Sequence, residues 1–262
     1  MIIVGERLNS SRTPVFQALN RKYEKYLLDE ALKQERAGAN YIDLNAATLL
    51  EQEVSRLKWA IPLLQKKLAI PLSIDTPNSE AMEEGLKIHK GKALLNSLSG
   101  ENRRIKAFLP LIKKYQPRVI ILCLDDRGIP QSSDQALAIA EKMLSLLCKE
   151  GINVEDIFID PLVRPVGTDS RAGKLFMESL QKIKKNLPEV KTIAGISNIS
   201  FGLPRRKLLN RTFLILAIQK GLDAAILDPL DKEIISSSYS AKTLLGKNSA
   251  MKNYLGYIRQ KK

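Results

Sequence analysis

Acidic and carboxamide side chains recur at the ends of oily segments along this chain. Residues 119–130, VIILCLDDRGIP, pass from an apolar run into Asp125 and Asp126. YIDLN ends in Asp43 and Asn45, PLSIDT in Asp75, ALLNS in Asn96, DIFIDP in Asp160, GISNIS in Asn198 and AAILDP in Asp228. One Asp or Asn in such a place caps a helix or forms a turn as readily as it serves a site. Repetition down the whole chain points instead to one shared site. Polar groups on alternate positions of a strand end face one side. Asp43-Leu44-Asn45 and Ser197-Asn198-Ile199-Ser200 both carry that alternation.

A cavity lined in this way suits a heterocycle with adjacent ring N–H and amino donors. A carboxylate grips such an edge through two parallel hydrogen bonds, and carboxamides read both donors and acceptors. Pterins and guanine-like rings fit that description. A buried ionised Asp costs several kcal/mol unless paired, so it demands a donor-rich partner. The chain has one histidine, His89 in EEGLKIHKGK, which reads as a surface residue, and two distant cysteines, Cys123 and Cys148, which read as buried or inert thiols. These exclude a His-based zinc site, a Cys–His dyad and a disulfide framework. Aspartates alone leave room for magnesium, but no metal-ligand set is assigned.

The elements that must position these side chains alternate without a break. Strands are expected near 2–4, 40–44, 71–74, 93–96, 119–124, 156–159, 192–196 and 224–227, with helical stretches between. In 132–150, SSDQALAIAEKMLSLLCKE, Ala136, Ile139, Ala140, Met143, Leu144 and Leu147 fall at spacings of three and four and mark one apolar face. Asp134 near its start suits the positive helix end. Eight strands alternating with helices imply βαβ units and a parallel sheet. At 262 residues, eight repeats favour a closed (β/α)8 TIM barrel over an open doubly wound sheet. No G-x-G-x-x-G follows the first strand and no G-x-x-x-x-G-K-[ST] occurs. With no linker or composition break, residues 1–262 read as one domain. In a barrel all strand C-termini open on one face, where active sites sit. Asn9, Asp43, Asn45, Asp75, Asn96, Asp125, Asp160, Asn198 and Asp228 are then expected to ring one mouth, with Asp125 and Asp126 open between a pocket role and a turn role.

An apolar fraction of 44% is ordinary for a globular protein. No run is long enough to span a membrane, and MIIVGERLNSSR reads as a strand rather than a signal peptide. A cytoplasmic protein is expected. The net charge of +14 comes from spread basic residues, including Lys66 and Lys67, Lys113 and Lys114, Arg205 to Lys207 and the RQKK tail. Most fall at helix ends, where a solvated face is the expectation. Without interleaved aromatics, base stacking has little support. A basic nucleic-acid binder is the reading of a different class, and steep salt dependence of DNA binding is its test.

GERLN (5–9), IDLNAA (42–47), SIDTPN (73–78), LLNS (94–97), IDPL (159–162), GISNISFGLPRRKLLNRTFL (195–214) and GLDAAILDP (221–229) together resemble the pterin-binding methyltransferase family. The match is closest to methyltetrahydrofolate:corrinoid protein methyltransferases, including those that methylate the corrinoid iron–sulfur protein. The folate domain of cobalamin-dependent methionine synthase is a more distant relative. The resemblance covers nearly the whole chain in order, and 195–214 is its most specific part. It implies a TIM barrel, usually a homodimer, with methyltetrahydrofolate or tetrahydrofolate as substrate. The corrinoid would arrive on a partner protein, since no Asp-x-His-x-x-Gly motif occurs here.

By the same resemblance, Asp75, Asn96 and Asp160 match positions that hold the pterin ring. Asn198 matches the catalytic asparagine that hydrogen-bonds the methyl-bearing nitrogen. Glu6, Asn9, Asp43, Asn45 and Ser197 match positions lining the same pocket. Arg206 and Asn210 follow in the matched loop, to contact folate or to order the site. Dihydropteroate synthase shares this barrel and is the rival enzyme. It carries a lysine shortly after the third-strand Asp-Thr pair and an Arg-x-His motif on the last strand, where this chain reads DTPNSEA and AAILDPL.

Overall fold

Eight short runs of β-branched and aliphatic residues form eight strands: β1 Ile2–Asn9, β2 Tyr41–Asn45, β3 Leu72–Asp75, β4 Leu94–Gly100, β5 Arg118–Asp125, β6 Ile157–Asp160, β7 Lys191–Gly195 and β8 Ala224–Leu227. In the computed structural model, which describes residues 1–246 and 248–259, they pair in parallel and in sequence order, and β8 closes on β1. The result is the single-domain (β/α)8 barrel that the alternation predicts. The helices around it are α1 Thr13–Asn20, α2 Glu24–Arg36, α3 Glu53–Gln65, α4 Ser79–Ile88, α5 Asn102–Tyr115, α6 Ser133–Lys149, α7 Ala172–Asn186, α8 Arg206–Gln219, α9 Lys232–Leu244 and α10 Ala250–Arg259. No helix among the described residues is long and apolar enough to cross a membrane. Of the RQKK tail, Gln260, Lys261 and Lys262 lie outside the described residues.

Strand alternation sorts the core into two layers. Ile42 and Leu44, Leu72 and Ile74, Ile121 and Cys123, and Ile157 and Ile159 face outward into the cluster shared with the helices. Val4, Tyr41, Leu94, Ile120, Phe158, Ile193 and Ala224, one from each of seven strands, meet in a separate cluster that plugs the barrel interior. The next inward position on several strands, two residues on, is polar: Glu6, Asp43, Asn96 and Asp160. Thus the sequence builds an apolar floor and sets carboxyl and carboxamide groups above it.

Local signals close the helices. The Ser132 hydroxyl accepts from the Gln135 N–H at the start of α6, and the Asn78 carboxamide oxygen accepts from Glu80 and Ala81 N–H at the start of α4. Two expectations need correction. β7 stops at Gly195, and Ile196–Ser200 is a 3₁₀ turn, so Ser197, Asn198 and Ser200 do not alternate along a strand. His89 is only 8% exposed rather than on the surface. Its Nε2 accepts from Leu72 N at 3.1 Å, which leaves Nδ1 to donate to the Gly91 carbonyl at 3.2 Å. Burial lowers its pKa, so a neutral imidazole pins the start of β3. Cys123 is buried as expected, but Cys148 is exposed; both are free thiols.

Candidate active site

Register places the polar ring on adjacent strands. Asn9 pairs with Asn45, Asn45 with Asp75, and Asp75 with Asn96. Asn45 is held from three sides: its oxygen accepts from the Ser10 hydroxyl and the Ala47 N–H, both at 3.1 Å, and its Nδ2 donates to Asp75 Oδ2 at 2.9 Å. One strand layer deeper, Asp43 Oδ1 accepts from the Ser73 hydroxyl at 2.6 Å and from Asn96 Nδ2 at 3.2 Å. Asp160 ends β6, with Oδ1 accepting from Leu162 N at 2.8 Å. Asn9 spends its oxygen on the Ser11 N–H in a tight turn.

Electrostatically the mouth is under-neutralised. Burial raises the Asp43 pKa well above the usual carboxylate range, with Asp75 adding repulsion and Ser73 and Asn96 opposing it. Burial also raises Asp75, against the Asn45 hydrogen bond. Asp160 is pushed up to about 7 by burial, against the Leu162 N–H. Glu6 is likewise pushed up to about 7 by burial, against its hydrogen bond from Ser197. Each carboxyl gains from any ligand that brings N–H donors, since a donor satisfies what burial has stripped of water. Among the described residues, no group of three or more His, Cys, Asp or Glu side chains is disposed to hold a metal ion.

The turn after β7 presents a different function. Asn198 is exposed at the mouth, and no hydrogen bond occupies its carboxamide among the described residues. The turn beneath it is braced. The Ser200 hydroxyl donates to Asn210 Oδ1 at 2.6 Å, Arg206 Nε donates to Ser200 Oγ at 3.1 Å, and Arg206 Nη2 donates to the Ser197 carbonyl at 2.8 Å. Arg206 and Asn210 therefore order the turn. The Ser197 hydroxyl reaches across to Glu6 Oε2 at 2.9 Å. Gly195 leaves room for the Asn198 carboxamide, because a Cβ there would lie 2.9 Å from Asn198 Nδ2 and displace it.

Three aspartates expected in or near the ring are engaged elsewhere. Asp125 has the parity of Ile121 and Cys123, which face the helices, and it pairs with Arg127 at 2.7 Å. Asp126 accepts from the Asn102 N–H at the start of α5. Asp228 is tied to Arg7 at 2.7 Å, and Arg7 also pairs with Glu30. Sequence reading missed Glu53 and Arg104. Glu53 is buried and accepts from the Thr76 hydroxyl at 2.6 Å. Arg104 donates to the Ser97 and Thr76 carbonyls beside Asp75. Neither lies at a strand end, so the signal used for the others could not reach them.

Known proteins resemble this chain in sequence and in fold. The chain is 33% identical to the methylcorrinoid:tetrahydrofolate methyltransferase of Eubacterium limosum over 264 aligned residues, covering 100% of this chain and 97% of that protein. It is 28% identical over 240 residues to methionine synthase of Mycobacterium tuberculosis, where it spans 86% of this chain but only 20% of that longer protein. Solved dihydropteroate synthases share the fold. The Yersinia pestis enzyme with a pterine–sulfa conjugate has a TM-score of 0.71 at 15% identity, covering 94% of this chain and 93% of that one. The Xanthomonas albilineans enzyme with 7,8-dihydropteroate has 0.68 at 17%, covering 94% and 92%. The family model described as pterin binding enzyme matches residues 5–228, a span that runs from β1 to just past β8 and takes in every strand end described above. By that match the chain belongs to the pterin-binding enzyme family.

Proposed function

We propose that this protein is a methyltransferase that moves a methyl group between N5 of methyltetrahydrofolate and the cobalt of a corrinoid carried by a partner protein. The observation that carries the reading is the pairing of two features at one mouth. One is a band of carboxyls, half-buried Asp75 and buried Asp160 with Asn96 between β3 and β5, suited to the donor edge of a pterin. The other is the unengaged Asn198 carboxamide on a braced turn. The full-length similarity to a methylcorrinoid:tetrahydrofolate methyltransferase supports it. The corresponding places for a dihydropteroate synthase read Asp75-Thr76-Pro77-Asn78-Ser79 and Leu227-Asp228-Pro229, without its lysine or its Arg-x-His.

In this reading Asp75, Asn96 and Asp160 take the N–H and amino donors of the pterin, and Asp43 and Asn45 hold them in place. Glu6, Asn9 and Ser197 complete the wall of the same pocket. A tertiary amine is a poor leaving group, and its departure is easier when its nitrogen is hydrogen-bonded as charge develops. The Asn198 amide donates without ionising and sits where it can turn toward that nitrogen. The chain acts as a homodimer, and the corrinoid protein, of the corrinoid iron–sulfur type or another, docks over the mouth.

Calorimetric titration with 5-methyltetrahydrofolate tests the pocket. The native protein is expected to bind in the micromolar range and Asp75→Ala to lose the heat signal. Absence of binding by the native protein would remove the folate assignment.

A further inference from the structure

Glu6 is the one carboxyl of the mouth joined directly to the Asn198 turn. Its parity on β1 continues Ile2 and Val4 toward the barrel axis. Its Oε2 accepts from Ser197 Oγ at 2.9 Å, and Ser197 immediately precedes Asn198. Its Oε1 makes no hydrogen bond among the described residues. The charged groups that face it come from every neighbouring element: Asp228 after β8, Asp43 on β2, Arg12 after β1 and Arg206 on α8. Burial is the largest influence and pushes the Glu6 carboxyl up to about 7, with Asp228 adding repulsion and the Ser197 hydrogen bond, Arg12 and Arg206 opposing it. Asp160, with a similar value, accepts a backbone N–H and is not joined to the turn.

The geometry points to Glu6 as the residue that holds the exchangeable proton of the reaction and passes it through the Ser197 hydroxyl to the pterin nitrogen beside Asn198. This rests on the methyl-transfer reading and adds to it a proton path that a carboxamide cannot supply. When methyl leaves methyltetrahydrofolate, the N5–CH3 bond breaks with its electron pair remaining on N5. The methyl carbon bonds to cobalt through the electron pair of the Co(I) corrinoid. With Glu6 protonated on Oε2 the hydrogen bond reverses, Oε2–H donating to Ser197 Oγ while the Ser197 hydroxyl turns to N5. N5 takes that hydroxyl proton as Ser197 takes the one on Glu6, and water reprotonates the carboxylate left behind. In the opposite direction the same groups move the proton from N5 to the Glu6 carboxylate.

Single-turnover transfer from 5-methyltetrahydrofolate to free cob(I)alamin, followed from pH 5.5 to 9, tests the assignment. The native rate is expected to fall with rising pH through a midpoint near that of Glu6, and transfer from methylcobalamin to tetrahydrofolate to rise through the same midpoint. Glu6→Gln and Ser197→Ala should each lose this inflection and slow transfer about 100-fold at pH 6, a loss far larger than the change in folate affinity read by calorimetry. An inflection and rate retained in Glu6→Gln would overturn the proposal. So would a folded Glu6→Gln that no longer binds folate, because Glu6 would then be a binding group. If the native protein itself binds no folate, the function reading falls and this inference falls with it.

Discussion

Asp160 shows how one residue can trade stability for a site. It is 9% exposed, accepts one backbone hydrogen bond and has a folded-state pKa near 7 against an ordinary value of 3.8. Between roughly pH 4 and pH 7 the folded state therefore binds more protons than the unfolded chain, and stability falls as pH rises through that window. The stabilisation is complete below pH 4 and lost above pH 7. Asp160→Asn keeps the acceptor for Leu162 N and removes the buried charge. It should raise stability at pH 8 by about 4 kcal/mol, or about 8 °C in Tm, and leave stability at pH 4 nearly unchanged. Thermal melts at the two pH values check this, and equal shifts at both would contradict it. The same variant should lose folate affinity. At Asn198 the expected effect is kinetic. Asn198→Ala should slow single-turnover methyl transfer by about 100-fold, the usual cost of a positioned donor, with little change in folate binding. An unchanged rate would remove Asn198 from the mechanism.

At the scale of elements, the turn Ile196–Ser200 decides where Asn198 points. Its sequence, ISNIS, puts Asn198 and Ser200 on alternate positions after an apolar strand, and strand reading follows from that. The 3₁₀ conformation is set instead by distant partners: Val166 N donates to the Ile199 carbonyl, while Asn210 and Arg206 on α8 take Ser200 and Ser197. Such partners are invisible to a local pattern. The strands themselves were legible because each is short, apolar and bounded by polar residues, and the inward side chains followed from period two. The same parity explains why Asp125 faces the helices, a point lost when only its place at a strand end is considered. Buried Glu53 and the carbonyl clamp Arg104 were hidden because they lie on α3 and α5 and reach the mouth only after folding. Gly195→Ala isolates the turn. The added Cβ would press Asn198 Nδ2 at 2.9 Å, so the carboxamide must move while the pterin band stays. Methyl transfer should fall toward the Asn198→Ala level with folate affinity within about threefold, since only a positioned group has shifted. A native rate would mean the turn adapts and does not position Asn198.

Over the whole molecule, charge and apolar surface are segregated. The net charge of +14 lies mostly outside, while Glu6, Asp43, Asp75 and Asp160 concentrate acid within the mouth. The outer wall of α8 departs from this pattern: Leu208, Leu209, Ile215 and Leu216 are all exposed along it. Leu208, Thr212, Ile215 and Gln219 follow helical spacing on one outward face, flanked by Leu209 and Leu216. A two-fold contact along this helix would cover the stripe and is the place where a homodimer would form. The same helix supplies Arg206 and Asn210 in its first turns, where the stripe begins, so an interface here would also steady the turn that carries Asn198. Light scattering of the native protein should give twice the 29.3 kDa chain mass. Ile215→Glu with Leu216→Glu places charge in the contact and should give a monomer that still binds folate. A native monomer would remove the dimer, and a double variant that remains dimeric would move the interface away from α8.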